Sequence, residues 1–203
     1  MTGDEPSDQN GHDPGHDPGH DPKTHERRFH GHPERLRSPE RLALLEVDRV
    51  VALSLEGLQA NSVLDEGCGT GLFTEAFINA GVDATGIDAN AEILAIARSQ
   101  VPAARFREAP AEKLPFDAGA FDLVFLGHLL HETDEPLAAL KEARRVAKGR
   151  VVVLEWPYRR EEQGPLLAHR LRPEAIEDLA HQAGLGEAER IQLKHMDLYR
   201  FEP

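Results

Sequence analysis

The sequence predicts a doubly wound α/β fold whose sheet has seven mostly parallel strands and ends in an antiparallel hairpin. From residue 62 onward, short apolar runs alternate with helical patterns, as in repeated β-α-β units. The chain has 203 residues, of which 40% are apolar, and this suffices for one domain with a real core and an appendage. A collagen-like or disordered chain is excluded by the same composition.

The predicted elements follow in order along the chain. Ser38 and Pro39 form a favourable N-cap and first-turn pair for a leading helix. Apolar residues then lie along one helical side: Leu42, Leu45, Val50 and Leu53. Strands are predicted near 62–66, 83–88, 104–108, 121–127 and 149–155, and helices near 71–81, 90–100, 135–147 and 172–183. The closing segment ERIQLKHMDLYRFEP has two β-like runs with little between them, which predicts the hairpin.

The location of a ligand site follows from this fold class. Ligands of Rossmann-like sheets bind beyond the carboxyl ends of the strands, where the strand order reverses. We therefore expect the site in the loops after the first four strands.

The chain is expected to divide near residue 38. Residues 1–37 form a tail and basic arm rich in His, Asp, Gly and Pro, and residues 38–203 form the globular domain. Within the tail, residues 11–22 read GHDPGHDPGHDP, and the recurring Gly and Pro exclude a helix and a central strand. We therefore expect a flexible tail.

The charge and the cysteine content exclude several classes of protein. The chain carries 23 basic and 36 acidic residues, a formal charge of −13. Binding of nucleic acid by a broad basic face is disfavoured, because phosphate contacts need clustered Lys and Arg. No apolar run approaches the ~18 to 20 residues that cross a bilayer, so no membrane contact is expected. Cys68 is the only cysteine, which excludes an intrachain disulfide and fits a cytoplasmic location.

A glycine-rich turn is the strongest chemical signal. The first predicted strand runs into SVLDEGCGTG, where Gly67, Gly69 and Gly71 let a ligand pass close to the backbone. A nicotinamide dinucleotide fingerprint would need Gly or Ala at the position of Leu72. The carboxylate of Asp65, just before the turn, suits a cationic or hydroxylated ligand instead.

The segment VLDEGCGTG resembles the first motif of the class I S-adenosylmethionine-dependent methyltransferases, in particular the type 11 group with its ubiquinone-biosynthesis-like enzymes. The resemblance covers residues 38–160 well and the C-terminal hairpin loosely. It implies S-adenosyl-L-methionine as cofactor, S-adenosyl-L-homocysteine as product, and an enzyme that methylates a small-molecule acceptor.

The resemblance also implies a set of cofactor-binding residues. Asp88 ends the second strand, where an acid can accept both ribose hydroxyls, and Ala89 is implied to pack beside the adenine. The family carries an aspartate where this chain has Pro110, so the adenine amino group is left to Glu112 or another acceptor, and the amide of Ala111 reads the ring. The full set is Asp65, Glu66, Gly67, Cys68, Gly69, Gly71, Asp88, Ala89, Ala111, Glu112, Gly127 and His128.

Glu66 departs from the family, which usually has an aliphatic residue at this position. Two adjacent carboxylates raise one of their pKa values unless a cation intervenes, and the sulfonium or ammonium of the cofactor is such a cation. The alternative places Glu66 in solvent at the end of the strand.

Three residues are candidates for the chemistry of methyl transfer. The run GHLLHE after the fourth strand is similar to an SHVLHH-like run of the family, which implies that it lies over the methyl donor. His128 or His131, the latter beside Glu132, is expected to act as a base where the acceptor is protonated; the alternative is a histidine satisfied by backbone groups. Cys68 is a candidate nucleophile or metalloid ligand, or a residue selected for fit.

Six of the 11 histidines cluster in the tail and arm: His12, His16, His20, His25, His30 and His32. In an extended chain, a spacing of four residues leaves neighbouring imidazoles about 13 to 14 Å apart. A flexible tail can therefore fold several of them around one divalent zinc, copper or nickel ion. The alternative is a solvated segment with incidental metal affinity.

Two functions remain open at this point. The first is a methyltransferase of a small molecule, with a lipid or quinone-like acceptor or, in a minority hypothesis, arsenite methylated with the help of Cys68 or an external thiol. The second is a metal-binding or regulatory protein that uses a methyltransferase fold and a His-rich tail. A nicotinamide-dependent oxidoreductase is a distant third. The acceptor, and the choice between monomer and homodimer, do not follow from the sequence.

Overall fold

The structure is a computed structural model and describes residues 36–203. The GHDP repeat, most of the basic arm and the six clustered histidines lie outside the described residues. The metal site predicted at His12, His16, His20, His25, His30 and His32 therefore stays a prediction, as do the flexible tail and the boundary after residue 37.

Within the described part, seven strands form one sheet. Their bounds are β1 Ser62–Glu66, β2 Asp83–Asp88, β3 Arg105–Glu108, β4 Phe121–Gly127, β5 Ala147–Glu155, β6 Glu189–Gln192 and β7 Asp197–Phe201. The strand order is β3-β2-β1-β4-β5-β7-β6. Strands β1 to β5 pair in parallel, whereas β7 runs antiparallel between β5 and β6. The predicted doubly wound sheet with its C-terminal hairpin is confirmed.

The α-helices of residues 36–203 are α1 Pro39–Leu45, α2 Val47–Leu55, α3 Leu72–Asn79, α4 Ala91–Gln100, α5 Pro136–Val146 and α6 Pro173–Ala183. Each lies within two residues of its predicted position except at the start of the domain, where one predicted helix is two. The break falls at Glu46, whose backbone is left-handed with a φ of 47°. None of these helices is long and apolar enough to cross a membrane.

The leading apolar residues differ in burial. Leu45 and Val50 are buried as predicted, whereas Leu42 is 37% exposed. Ser38 does cap α1, since its hydroxyl accepts a hydrogen bond from the amide of Arg41.

The sheet is covered on both faces, as expected of parallel strands. Neighbouring residues of a strand point to opposite faces. In β1, Val63 packs in the layer formed with α2 and α3, and Leu64 packs in the layer formed with α5 and α6. The apolar runs that predicted strands are therefore the centre of a two-layered core.

The strand order reverses between β1 and β4. From β1 the chain proceeds outward to β2 and β3, and then returns to β4 on the other side of β1. A crevice opens at the carboxyl ends of the strands at such a switch point. The glycine turn follows β1 and His128 follows β4, so the fold brings the two strongest sequence signals together.

Candidate active site

A cavity of about 690 Å³ opens at the carboxyl ends of β1, β2 and β4. This volume lies within the range of about 300 to 1,000 Å³ that is usual for small-molecule sites. The cavity wall includes the glycine turn, the end of β2, residues 108–112 and the start of the loop after β4. All of the predicted cofactor-binding residues line it except Glu66 and Gly71.

The glycine turn depends on backbone conformations that a side chain would oppose. Gly67 has a φ of 73°, and a Cβ atom added there would lie 2.9 Å from the side chain of Leu129. Gly71, with a φ of 77°, is the N-cap of α3 and sets the start of that helix rather than the cavity wall. Glycine at position 67 therefore leaves bare backbone facing the ligand space, and glycine at position 71 allows the turn into α3.

Asp65 is a buried acid at the end of β1. The hydroxyl of Thr74 in α3 donates a hydrogen bond to its Oδ2 at 2.5 Å. Burial raises the pKa of Asp65 from 3.8 to about 7, although the hydrogen bonds from Thr74 oppose the shift. A cation beside this carboxylate would favour the charged form. Asp65 is therefore suited to an ammonium or sulfonium group.

Asp88 is held by the backbone through both of its carboxylate oxygens. Oδ2 accepts from the amide of Gly69 at 3.0 Å, and Oδ1 accepts from the amide of Asn90 at 2.8 Å. Burial raises the pKa of Asp88 above 3.8, and these amide bonds oppose that shift. Each oxygen keeps a further lone pair, so the fixed carboxylate can accept from two neighbouring hydroxyls.

The segment after β3 continues the cavity wall. Pro110 and Ala111 line it together with Ala89 from the end of β2. The carboxylates at this wall are those of Glu108 and Glu112, and Glu112 accepts a hydrogen bond from the hydroxyl of Thr133. Because Pro110 offers no carboxylate, an acceptor for an amino group has to come from these residues or from the main chain.

His128 lines the cavity at the end of β4 in an unusual backbone conformation. Its φ is 60°, which is rare for a residue with a side chain, and its amide donates to the carbonyl of Leu154 at 2.8 Å. Neither ring nitrogen has a hydrogen-bond partner in the described part of the chain. Burial, followed by the charges of Arg41 and His131, lowers the pKa of His128 well below 6.5. The imidazole is therefore neutral at pH 7.

Comparison with known sequences finds a methyltransferase family over part of the chain. Residues 64–154 match a family described as "Methyltransferase domain". This match agrees with the resemblance of the glycine-rich motif to the class I S-adenosylmethionine-dependent methyltransferases of the type 11 group.

Relatives of this methyltransferase domain include proteins named for different acceptors. A demethylmenaquinone methyltransferase of Renibacterium salmoninarum is 32% identical over 112 residues, which are 54% of this chain and 47% of that protein. A malonyl-[acyl-carrier protein] O-methyltransferase of Pectobacterium atrosepticum is 37% identical over 103 residues, 50% of this chain and 40% of that protein. The chain therefore spans less than half the length of these curated relatives.

Solved structures show the same fold over a longer part of the chain. A SAM-dependent methyltransferase from Aquifex aeolicus superposes with a TM-score of 0.74 at 22% sequence identity. The superposition covers 83% of this chain and 95% of the other. The methyltransferase fold thus extends beyond the matched residues 64–154.

Glu66 does not take its predicted place in the methyltransferase domain. It shares the face of β1 with Leu64, opposite Asp65, and it is 0% exposed, so the solvent-facing alternative is wrong. It is not among the residues that line the cavity, which gives no support to a cofactor contact. Neither carboxylate oxygen has a partner in the described residues. Burial, followed by the charges of Glu112, Glu142 and Asp65, raises the pKa of Glu66 well above 4.5.

His131 is buried and is not among the residues that line the cavity. Its Nδ1 lies 2.8 Å from Oε2 of Glu155, and its amide donates to Oε1 at 3.3 Å. Burial alone would lower the pKa of His131, but the charge and the hydrogen bond of Glu155 outweigh burial and raise it. His131 is thus held by a buried contact with Glu155, a placement that does not support its prediction as the base facing the acceptor.

Cys68 lines the cavity, but its thiol is buried. Burial raises the pKa of the thiol well above 9.0, and the charges of Asp65 and Asp88 add to the shift. A thiol that stays protonated is a poor nucleophile and a poor metalloid ligand, so the geometry favours a packing role. Over residues 36–203, no group of three or more His, Cys, Asp or Glu residues is placed to hold a metal ion.

Sequence reasoning missed three residues, of which one lines the cavity and two bond side chains that the sequence did single out. Arg41 lines the cavity, Thr74 bonds Asp65, and Glu155 bonds His131. The sequence could have indicated the inward direction of Arg41, because this residue precedes an apolar residue of α1 by one helical turn. The partners of Asp65 and His131 lie nine and 24 residues away in the sequence, and only the fold brings them into contact.

Proposed function

We propose that the protein is an enzyme that transfers a methyl group from S-adenosyl-L-methionine to a small-molecule acceptor. The observation that carries this proposal is the pair of acids Asp65 and Asp88, each oriented by hydrogen bonds and both lining one cavity beside the glycine turn. The curated relatives support methyl transfer, and their individual acceptors are not carried over to this chain.

The residues of the cavity fit the parts of this cofactor. Asp88 suits the ribose hydroxyls, and Asp65 suits the ammonium group of the amino-acid part. Ala89 and Ala111 offer an apolar wall for the adenine, and Glu112 offers an acceptor in place of the family's aspartate. When bound, S-adenosyl-L-methionine supplies an electrophilic methyl group on a sulfonium.

We propose that His128 takes up the proton that the methylated molecule loses. It lines the cavity as a neutral imidazole whose two ring nitrogens have no partner in the described residues. One nitrogen of a neutral imidazole carries a free lone pair, and it can take the proton that a hydroxyl loses when its oxygen is methylated. This proton becomes strongly acidic as the new O–C bond forms, so an imidazole with a lowered pKa is still a strong enough base to accept it. We therefore favour a hydroxyl acceptor.

Two earlier hypotheses receive no support from the described residues. Arsenite would need thiolate ligands, and the one cysteine of the chain, Cys68, stays protonated. No observation on residues 36–203 favours a metal-binding or regulatory protein over an enzyme. The cytoplasmic location stays a prediction.

Calorimetric titration of the full chain tests the proposed function. We expect S-adenosyl-L-methionine and S-adenosyl-L-homocysteine to bind with micromolar affinity, and NAD not to bind. Release of S-adenosyl-L-homocysteine in the presence of a panel of phenols then reports turnover, with anisole, which lacks the hydroxyl, as the matched negative control. Absence of binding by both methionine-derived nucleosides would overturn the proposal.

A further inference from the structure

Within the described residues, no hydrogen bond fixes the direction of the His128 imidazole. Neither ring nitrogen has a partner there. A base in an active site is usually oriented by a further polar group that bonds it. The backbone of His128 is fixed, because its amide bonds the carbonyl of Leu154, but this bond leaves the side-chain rotamer open. The direction of the ring therefore has to come from packing.

The indole of Trp156 packs against this imidazole. The two ring centroids lie 5.3 Å apart at an interplanar angle of 41°, whereas the ring of His131 lies 6.4 Å from that of His128. Trp156 directly follows β5, is 4% exposed and is not among the residues that line the cavity. The indole thus supports the imidazole from the protein side and leaves its cavity side to a ligand.

The loop after β5 encloses the indole of Trp156. The guanidinium carbon of Arg170 lies over the indole, 5.3 Å from the ring centroid. Gly164 has a φ of 85°, and a Cβ atom added there would lie 2.6 Å from the indole, so a residue without a side chain lets the main chain approach this closely. The position of Trp156 therefore depends on residues of this loop.

Arg170 holds the loop together from within. Its side chain is buried, and Nη1 lies 3.6 Å from Oε2 of Glu161. Its guanidinium donates hydrogen bonds of 2.7 to 3.1 Å to four main-chain carbonyls, those of Pro157, Arg159, Gln163 and Pro165. Hydrogen bonds from a charged donor are stronger than neutral ones. The loop that encloses Trp156 is therefore rigid.

We infer that Trp156 is a positioning residue for His128, and that the loop held by Arg170 fixes its indole so that the imidazole stays directed into the cavity. The inference rests on the proposed function, in which His128 takes up a proton from the acceptor. Trp156 acts through His128 and does not contact the reactants. Proton transfer needs hydrogen-bond geometry, so a base that is present but misdirected loses rate.

A double-mutant cycle on kcat tests whether Trp156 acts through His128. Its members are the full chain with Trp156→Ala, with His128→Asn and with both changes, each assayed on a phenol that the wild type methylates. Trp156→Phe keeps an aromatic ring beside the imidazole. Val152→Ala is the matched control, because Val152 is buried in the same core layer and lies four residues earlier in the chain, on β5.

We expect Trp156→Ala to lower kcat about 10- to 100-fold, as small misplacements of reacting groups do, with binding of S-adenosyl-L-homocysteine unchanged. In the His128→Asn background the same change should have no further effect on kcat, because no base is left to position. Trp156→Phe should restore most of the rate. Val152→Ala should lower the free energy of unfolding and keep the kcat of the wild type.

The contribution of the loop can be measured without turnover. Trp156 is the one tryptophan of the chain, so tryptophan fluorescence reports its indole alone. Arg170→Lys keeps the positive charge but has too few donors for four carbonyls. We expect time-resolved anisotropy to show faster rotation of the indole in this variant, and kcat to fall with it.

Three results would overturn the inference. Losses of Trp156→Ala and His128→Asn that multiply in the combined variant would show that Trp156 supports the fold and not the base. An unchanged kcat in Trp156→Ala would exclude any positioning, and unchanged anisotropy in Arg170→Lys would show that the loop does not fix the indole. Absence of turnover by the wild type is a separate result, because it overturns the proposed function itself.

Discussion

The two ends of the cavity differ in how their polar groups are satisfied. At the cofactor-binding end the chain supplies the partners, since Asp65 bonds Thr74 and Asp88 bonds two backbone amides. At the methyl-transfer end, within the described residues, His128 has no partner for either ring nitrogen and Arg41 has no ion pair. A buried polar group without a partner costs about 1–3 kcal/mol. The fold therefore preorganises the polar groups of the first end and leaves those of the second end available to a ligand.

Glu66 shows that an unpartnered polar group is a functional sign only where a ligand can reach it. Like His128, it has no hydrogen-bond partner among residues 36–203. Unlike His128, it lies in the core layer with Leu64 and does not line the cavity. The same physical feature therefore supports the proposed proton transfer at His128 and indicates lost stability at Glu66.

Removal of the preorganised acid has the largest expected effect. Asp88→Ala deletes the acceptor of two proposed ribose hydroxyls and releases the amide of Gly69. Because each hydrogen bond to a charged group contributes about 1.5–3 kcal/mol, binding of S-adenosyl-L-homocysteine should weaken at least 100-fold by calorimetry. Asp178→Ala removes an exposed acid of α6 and should bind as the wild type does. Near-normal affinity of Asp88→Ala would place the ribose elsewhere.

Loss of the unpartnered imidazole should affect rate rather than binding. Asparagine tolerates the left-handed backbone of His128, so His128→Asn removes the proton acceptor with little strain. We expect kcat for a phenol to fall about 100-fold, as for the loss of a general base, with binding of S-adenosyl-L-homocysteine unchanged. In the wild type, kcat should stay flat above pH 6.5, because the pKa of His128 is lowered from that value. An unchanged kcat in the variant would exclude His128 from the chemistry.

Replacement of the buried acid in the core should stabilise the protein. Glu66→Leu removes a carboxyl without a partner in the described residues and adds apolar volume beside Leu64 and Leu126, so the free energy of unfolding should rise by about 1–3 kcal/mol. The pKa of Glu66 is raised in the folded state. Its contribution to stability is therefore present at acidic pH and lost as the pH rises from about 4.5 toward the raised pKa.

Denaturant unfolding at two pH values checks this prediction for Glu66. The gain of Glu66→Leu over the wild type should be larger at pH 8 than at pH 4. An equal gain at both values would mean that Glu66 does not change its protonation state on folding.

The smallest expected effect is the dependence of cofactor affinity on the protonation of Asp65. The pKa of Asp65 is about 7, and an ammonium group favours the ionised carboxylate. Affinity for S-adenosyl-L-homocysteine should therefore rise about tenfold from pH 6 to pH 8 and then level off. 5′-Methylthioadenosine has no ammonium and is the matched probe, which should show a weaker dependence. The same steep dependence in Asp65→Asn would assign the titration to another group.

Sequence reasoning predicted those parts of the molecule that local sequence patterns specify. Apolar periodicity predicted the sheet, and glycine spacing predicted the turn that follows β1 and Asp65. The same alternation along β1 could have assigned Glu66 to the face opposite Asp65. The left-handed break at Glu46 and the pair of His131 with Glu155 depend on contacts between distant segments, which no local pattern records.

The acidic lining of the cavity also bears on how the reaction cycle turns over. Methyl transfer removes the permanent positive charge from sulfur, so the spent nucleoside is less cationic than the loaded one. A cavity lined by six acids attracts the loaded form more strongly than the spent form. In the proposed reaction, the acidic lining would therefore hold the spent nucleoside less tightly than the loaded one, which would weaken inhibition by the product without any movement of the protein.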